Sequence, residues 1–313
     1  LWNYRMLLAD PQARYADTIE WSLYNGILSG MGLDGETFWY RNPLRRDRDH
    51  VLRGHNDLGA REKPGRRRIC CPTNLARTIA EFQNYACTAD DTGVWVHQYG
   101  AGEAVLPLPA GGRFVLAQET DYPWDGRIEL TVRETPAGRC ALRLRIPGWA
   151  EHPELTVNGT SADVSLSPGS YACLEREWSA GDRVDLTLPM EARLLQAHPK
   201  VEQCRNQVAV ARGPILYCLE SHDLPEDVDL LDVVIPEDIV LRPEPASEMG
   251  FGIHVLAGEA LHQPEPPWQN ALYRPVRPMT STPVRIRMIP YFAWANRGPS
   301  DMSVWLARAG GRG

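Results

Sequence analysis

Beyond Gly93 the apolar residues change period, and this change limits the fold more than any other feature of the sequence. Leu142, Leu144 and Ile146 alternate with Arg143 and Arg145; Val184, Leu186 and Leu188 alternate with Asp185 and Thr187; Val284, Ile286 and Met288 alternate with Arg285 and Arg287. A period of two puts successive side chains on opposite faces of a strand, so these segments read as half-buried strands whose apolar faces need a second layer. The turn signals Asn158-Gly159 and Ala180-Gly181-Asp182 between them suit antiparallel sandwiches. Asn158-Gly159-Thr160 also fits the N-glycosylation pattern, but Asn-Gly between strands is first a type I′ hairpin signal. No long helix is expected beyond Ala89, and the proline-rich stretch from Leu241 to Pro267 reads as irregular connections on a second sandwich.

Ahead of Gly93 the pattern is helical. Tyr15, Ile19, Leu23 and Ile27 fall four apart until Gly30 and Gly32 end the run, and Leu75, Ile79, Phe82 and Ala86 repeat the spacing behind a start at Pro72, Thr73 and Asn74. The chain opens on Leu1, already in a helical pattern with no cap residue before it, so it reads as continuing upstream and its compartment is left open. Between the helices, residues 41–68 are polar, glycine-containing and without period, with the charged run from Arg45 to Asp49. This is a long loop, a kind of segment often given to function.

The 313 residues, 43% hydrophobic and 23% charged, make a globular chain with room for two or three domains. A net charge of -7 argues against nucleic acid or anionic membrane as partners, since both need a basic face. No apolar run approaches the roughly 18 residues of a membrane-spanning helix. Seven cysteines, an odd number in a chain that needs no staples, disfavour a disulfide scaffold.

The adjacent pair Cys70-Cys71 stands apart from the other cysteines. A thiol at a helix start meets unpaired backbone N–H groups and the positive end of the helix dipole, and Arg66, Arg67 and Arg68 precede it; all favour thiolate. Nucleophile and metal ligand are both open as roles, beside that of buried structural cysteine. The separated Cys-x-x-Cys pairs usual in zinc sites do not occur.

The residues around the pair, Cys70-Cys71-Pro72-Thr73-Asn74-Leu75-Ala76-Arg77, then Tyr85 and Asp90-Asp91-Thr92-Gly93-Val94-Trp95-Val96, resemble the beta-L-arabinofuranosidases of glycoside hydrolase family 127. Tyr15-Ala16-Asp17, Leu23-Tyr24-Asn25-Gly26, Phe38-Trp39-Tyr40-Arg41-Asn42-Pro43-Leu44, Ala211-Arg212-Gly213-Pro214 and the segment from Ile289 to Gly298 look like the same family in the same order. The resemblance therefore covers nearly the whole chain. It implies a multidomain α+β protein: the last helices of an (α/α)6 catalytic barrel at residues 1–92, an antiparallel β-sandwich at 93–195, a second at 196–290, and a strand at 291–313 returning to the first. It further implies retaining hydrolysis of L-arabinofuranosides in an arabinose-containing glycan, with a homodimer as one assembly open to it. Zinc would be held by one glutamate and three cysteines, Cys70 matching the nucleophile that also binds zinc and Cys71 the neighbouring ligand. Tyr40 would approach the sugar.

Two departures qualify this expectation. The family's acid/base glutamate and its Glu-x-Cys pair lie ahead of the helix with which this chain opens, and Glu20, Glu36 and Glu62 do not match those positions, so the chain as given is expected to be inactive alone. Pro64-Gly65-Arg66-Arg67-Arg68-Ile69 also stands where relatives tend to have an aromatic residue and a further cysteine. Asn42 and His55 are weaker candidates for the pocket, and Trp294 and Trp305 are expected in the core. The rival readings are a non-catalytic carbohydrate-binding or scaffolding sandwich module, which coplanar exposed aromatics would favour, and a structural zinc or redox role for Cys70-Cys71.

Overall fold

The computed structural model describes residues 1–39, 41–47, 61, 63, 70–267 and 272–310. Tyr40, His55, Glu62 and Arg66 to Arg68 lie outside the described residues. Three α-helices come first: α1 (Trp2–Ala9), α2 (Ala13–Ser22) and α3 (Cys70–Glu81). The helix predicted to run to Gly30 instead widens into a π turn at Leu23–Ile27 and tightens into a 3-10 turn at Leu28–Gly30. Within this stretch the Asn25 amide donates to the Pro214 carbonyl (2.8 Å) and its oxygen accepts from the Leu216 N–H (2.7 Å), a tertiary pair of bonds that a uniform helix would have to accommodate. Helix α3 starts two residues before its expected start, and Pro72 falls in the first turn, where its missing N–H costs nothing. After residue 90 the described chain is strand and loop, interrupted only by three-residue 3-10 turns.

The residues cluster into two units, Leu1–Tyr24 with Thr73–Glu191, and Asn25–Pro72 with Ala192–Gly313. In the first, one sheet runs in the order Ser170–Glu177, Arg139–Ile146, Gly93–Val96, Cys87–Asp90. The other runs Gly102–Pro107, Arg113–Glu119, Arg127–Glu134, Arg183–Thr187, Glu154–Val157, Thr160–Ser161. Val94, Val96, Leu142, Leu144 and Ile146 from the first sheet share a fully buried core with Leu116, Ile128, Leu130, Val132, Val184 and Leu186 from the second. Burying each such side chain favours folding by roughly 1.5–3 kcal/mol, which is why the alternation was so legible. Asn158 (φ 51°) and Gly159 (φ 77°) are both left-handed, as a type I′ hairpin requires. Not every neighbour is antiparallel: Gly93–Val96 pairs with Arg139–Ile146 in parallel, a pairing that the long intervening connection permits.

Arg145 departs from its predicted solvent-facing phase and is fully buried. The reason is α2, whose Asp17 and Glu20 meet it on the outer face of the four-stranded sheet.

The second unit holds a ten-stranded ladder in place of two separate sheets. Ile215–Glu220, Thr282–Pro290, His254–His262, Val233–Ile235, Leu306–Arg308 and Gln207–Arg212 pair successively, and the last pairs back to the first, closing a ring. Closure removes strand edges within the ring. The strand expected to return to the first sandwich does not: Met302–Ser303 and Leu306–Arg308 bond to strands of this second unit. Val304 and Leu306 carry apolar side chains buried there, which supplies the driving force.

Candidate active site

Cys70 and Cys71 are the first two residues of α3, and both are exposed. Their sulfurs lie 3.7 Å apart. Partial burial and then the adjacent Cys70 thiol push the Cys71 thiol above its usual range, so the thiolate preference expected from the helix start does not prevail at Cys71. Desolvation disfavours the charged thiolate most, and the Cys70 thiol adds to it first through their hydrogen bond and then through its charge. The spacing suits a shared cation: two sulfurs bound at about 2.3 Å to one tetrahedral zinc lie about 3.8 Å apart. Among the described residues no group of three or more His, Cys, Asp or Glu is arranged to hold a metal ion, so the pair could supply at most two of the four ligands usual for zinc.

The carboxylates near α2 are bound up in structure. Glu20 is buried, accepting from Arg145 Nη2 (2.6 Å), Trp149 Nε1 (3.2 Å) and the Tyr122 hydroxyl. Asp17 accepts from Arg145 Nη1 (2.6 Å) and the Gly148 N–H (3.1 Å). Burial opposes the Arg145 charge, but Glu20, Tyr122 and Asp17 outweigh it and hold the guanidinium protonated. Glu36 pairs with Lys63 at 2.5 Å on the surface. Sequence reasoning passed over Arg145 as a buried charge, because the alternation along its strand shows which face it takes and not what covers that face.

In the second unit, the motif around Trp39 and the motif around Trp294 meet. Their indoles stack at 4.8 Å and 5°, with the Arg46 and Arg61 guanidiniums at 5.1 Å and 5.9 Å from the Trp39 centroid. Arg61 Nη2 also donates to the Trp294 carbonyl (2.9 Å), the Tyr291 hydroxyl to the Pro43 carbonyl (3.0 Å), and Trp294 Nε1 to the Asn42 side-chain oxygen (3.3 Å). Asn42 therefore braces a buried tryptophan. Trp294 is in the core as expected, whereas Trp305 is only half-buried. Buried Glu220 completes the knot, accepting from the Ala295 N–H (2.6 Å) and from Arg297 Nη2 (2.7 Å).

On the outer face of the four-stranded sheet Trp95 and Tyr171 meet edge to face at 88°, and Arg143 covers the Trp95 ring at 4.4 Å. They do not make the flat platform a carbohydrate-binding module would present. His97 nearby is buried, contacting Thr88 Oγ1 (2.8 Å) and the Tyr171 hydroxyl (2.6 Å), and burial followed by the Arg145 charge lowers its pKa to about 3. It is a neutral structural imidazole at physiological pH.

Three family models match successive parts of the chain: the beta-L-arabinofuranosidase GH127 catalytic domain at residues 1–84, its middle domain at 93–190, and the glycoside hydrolase family 127 C-terminal domain at 192–307. A non-reducing end beta-L-arabinofuranosidase of Bifidobacterium longum is 34% identical, over 97% of this chain and 47% of its own. Among solved structures, a glycoside hydrolase is 40% identical with a TM-score of 0.92, over 98% of this chain and 50% of its own. A GH127 beta-L-arabinofuranosidase from Geobacillus stearothermophilus T6 is 38% identical with a TM-score of 0.87, over 98% of this chain and 48% of its own. The chain thus spans about half the length of these relatives.

Proposed function

Because this chain belongs to glycoside hydrolase family 127, we propose that it carries the nucleophile of a retaining hydrolase acting on L-arabinofuranosides of an arabinose-containing glycan. The observation that carries the reading is the pair of exposed sulfurs 3.7 Å apart at the start of α3. In this proposal residues 1–92 contribute helices to an (α/α)6 barrel, Cys70 is the nucleophile, and Cys70 and Cys71 are zinc ligands. When bound, zinc supplies the positive charge that keeps both thiols deprotonated at neutral pH. Cys70 Sγ attacks the anomeric carbon, the bond to the glycosidic oxygen breaks as that oxygen takes a proton from a general acid that the described residues do not supply, and a thioglycosyl bond to Cys70 forms. Water then displaces the sulfur, restoring the starting configuration in the manner of retaining glycosidases that use a carboxylate. Tyr40, outside the described residues, stays a proposed sugar contact.

The chain alone is proposed to lack turnover. Two sulfurs fall short of the four ligands of a tightly held zinc, and the carboxylates of Glu20 and Asp17 are occupied by Arg145 and its neighbours, leaving neither placed as a general acid.

Labelling tests the nucleophile. An L-arabinofuranose-configured epoxide, added to zinc-supplemented chain and mapped by peptide mass spectrometry, is expected to alkylate Cys70 ahead of the exposed Cys173 and to spare a Cys70→Ser variant. Equal labelling of Cys70 and Cys173, or preference for Cys173, would remove the basis of the proposal.

A further inference from the structure

We infer that Cys70 and Cys71 form a redox couple that closes reversibly into a disulfide between neighbouring residues. Its consequence for catalysis rests on the reading of the pair as zinc ligands and nucleophile; closure itself does not. Both thiols are exposed and their sulfurs lie 3.7 Å apart, so bonding at about 2.05 Å asks them to approach by roughly 1.7 Å. Little of the backbone ladder of α3 has to give for that movement. The first N–H groups of a helix have no intrahelical acceptor, so residues 70 and 71 give only their carbonyls to the ladder of α3, and Pro72 has no N–H to lose.

The same geometry makes the bond easy to reverse. Neighbouring Cα atoms across a trans peptide are about 3.8 Å apart, inside the 4.4 Å lower bound of ordinary disulfides, and strain of this kind raises the reduction potential into the labile, regulatory range. Among the other described cysteines Cys140 and Cys218 are buried, Cys87 and Cys204 are half-buried, and Cys173 is exposed.

The oxidant is a small disulfide such as oxidised glutathione. One cysteine thiolate attacks it, forming a mixed disulfide and expelling one glutathione thiolate. The neighbouring thiol gives up its proton and displaces the second glutathione, so two protein thiols are oxidised while one small disulfide is reduced to two thiols. The closed pair has no thiolate left for zinc or for sugar, and a dithiol reductant restores both.

The test treats zinc-free chain with oxidised glutathione and maps the products by mass spectrometry. The expected result is loss of two hydrogens within the peptide carrying Cys70 and Cys71, reversed by dithiothreitol, whereas Cys70→Ser and Cys71→Ser each keep one glutathione on the remaining thiol. A lasting glutathione adduct at either position in the wild-type chain, or a bridge from the pair to Cys173 or Cys204, overturns the inference. Repeating the oxidation with zinc separates it from the functional reading: closure slowed by zinc supports both, while closure indifferent to zinc leaves the redox couple standing and counts against shared zinc ligation.

Discussion

Consecutive helix residues point about 100° apart, so neighbouring sulfurs 3.7 Å from each other are a specific arrangement of Cys70 and Cys71. Serine at either position keeps the size and removes the soft ligand. Groups that only support a metal ligand typically alter affinity about 10–100-fold, and loss of a ligand should cost no less, so Cys70→Ser and Cys71→Ser are each expected to weaken zinc binding by at least about tenfold in a chelator competition. His97 gives a pH prediction. Its pKa falls from 6.5 to about 3 on folding, so between those values the unfolded chain binds a proton that the native one refuses. Stability from this residue is fully present above pH 6.5 and is lost as pH drops toward 3, by at most about 1.4 kcal/mol per pH unit. Urea midpoints across that window should fall less steeply for His97→Gln than for the parent chain. Among single residues, the place of the cysteine pair at a helix start was legible because Pro72, Thr73 and Asn74 mark that start. Arg145 was not, because the period of a strand tells which face a side chain takes and not what covers that face.

Helix α2 is held to the four-stranded sheet by one fully buried cation. Removing one partner of such a cluster strands the other charges, at a cost of about 3–5 kcal/mol, so Arg145→Met should lower the unfolding free energy by that much in urea titration. Arg145→Met with Glu20→Gln, which also removes the stranded charge, should recover part of the loss. The π turn is a second element-level device: Asn25→Ala leaves the Leu216 N–H and Pro214 carbonyl without this partner and should cost about 1–3 kcal/mol. Strands were readable from their two-residue period because each sheet presents an apolar face to a core. The π turn and the closure of the six-stranded ring were not, since both are decided by bonds between residues distant in sequence.

At the scale of the molecule, Leu1 just before α1, Trp2 and Leu8 of α1 and Ile79 of α3 are exposed, Trp2 by 75%, and a groove of about 1160 Å³ runs between residues of these helices and the strand Gly102–Pro107. Apolar area of this kind favours association, so the isolated chain should show concentration-dependent light scattering that Trp2→Lys with Leu8→Glu reduces. The chain alone should also release no chromophore from an aryl beta-L-arabinofuranoside. The claim on which the rest depends is that Cys70 and Cys71 share one ion. X-ray absorption at the zinc edge, on reduced chain loaded with less than one equivalent of zinc, measures this directly. Two sulfur scatterers at about 2.3 Å, lost in the Cys70→Ser, Cys71→Ser double variant, are predicted. A zinc shell of nitrogen and oxygen alone, or one unchanged in the double variant, would contradict it.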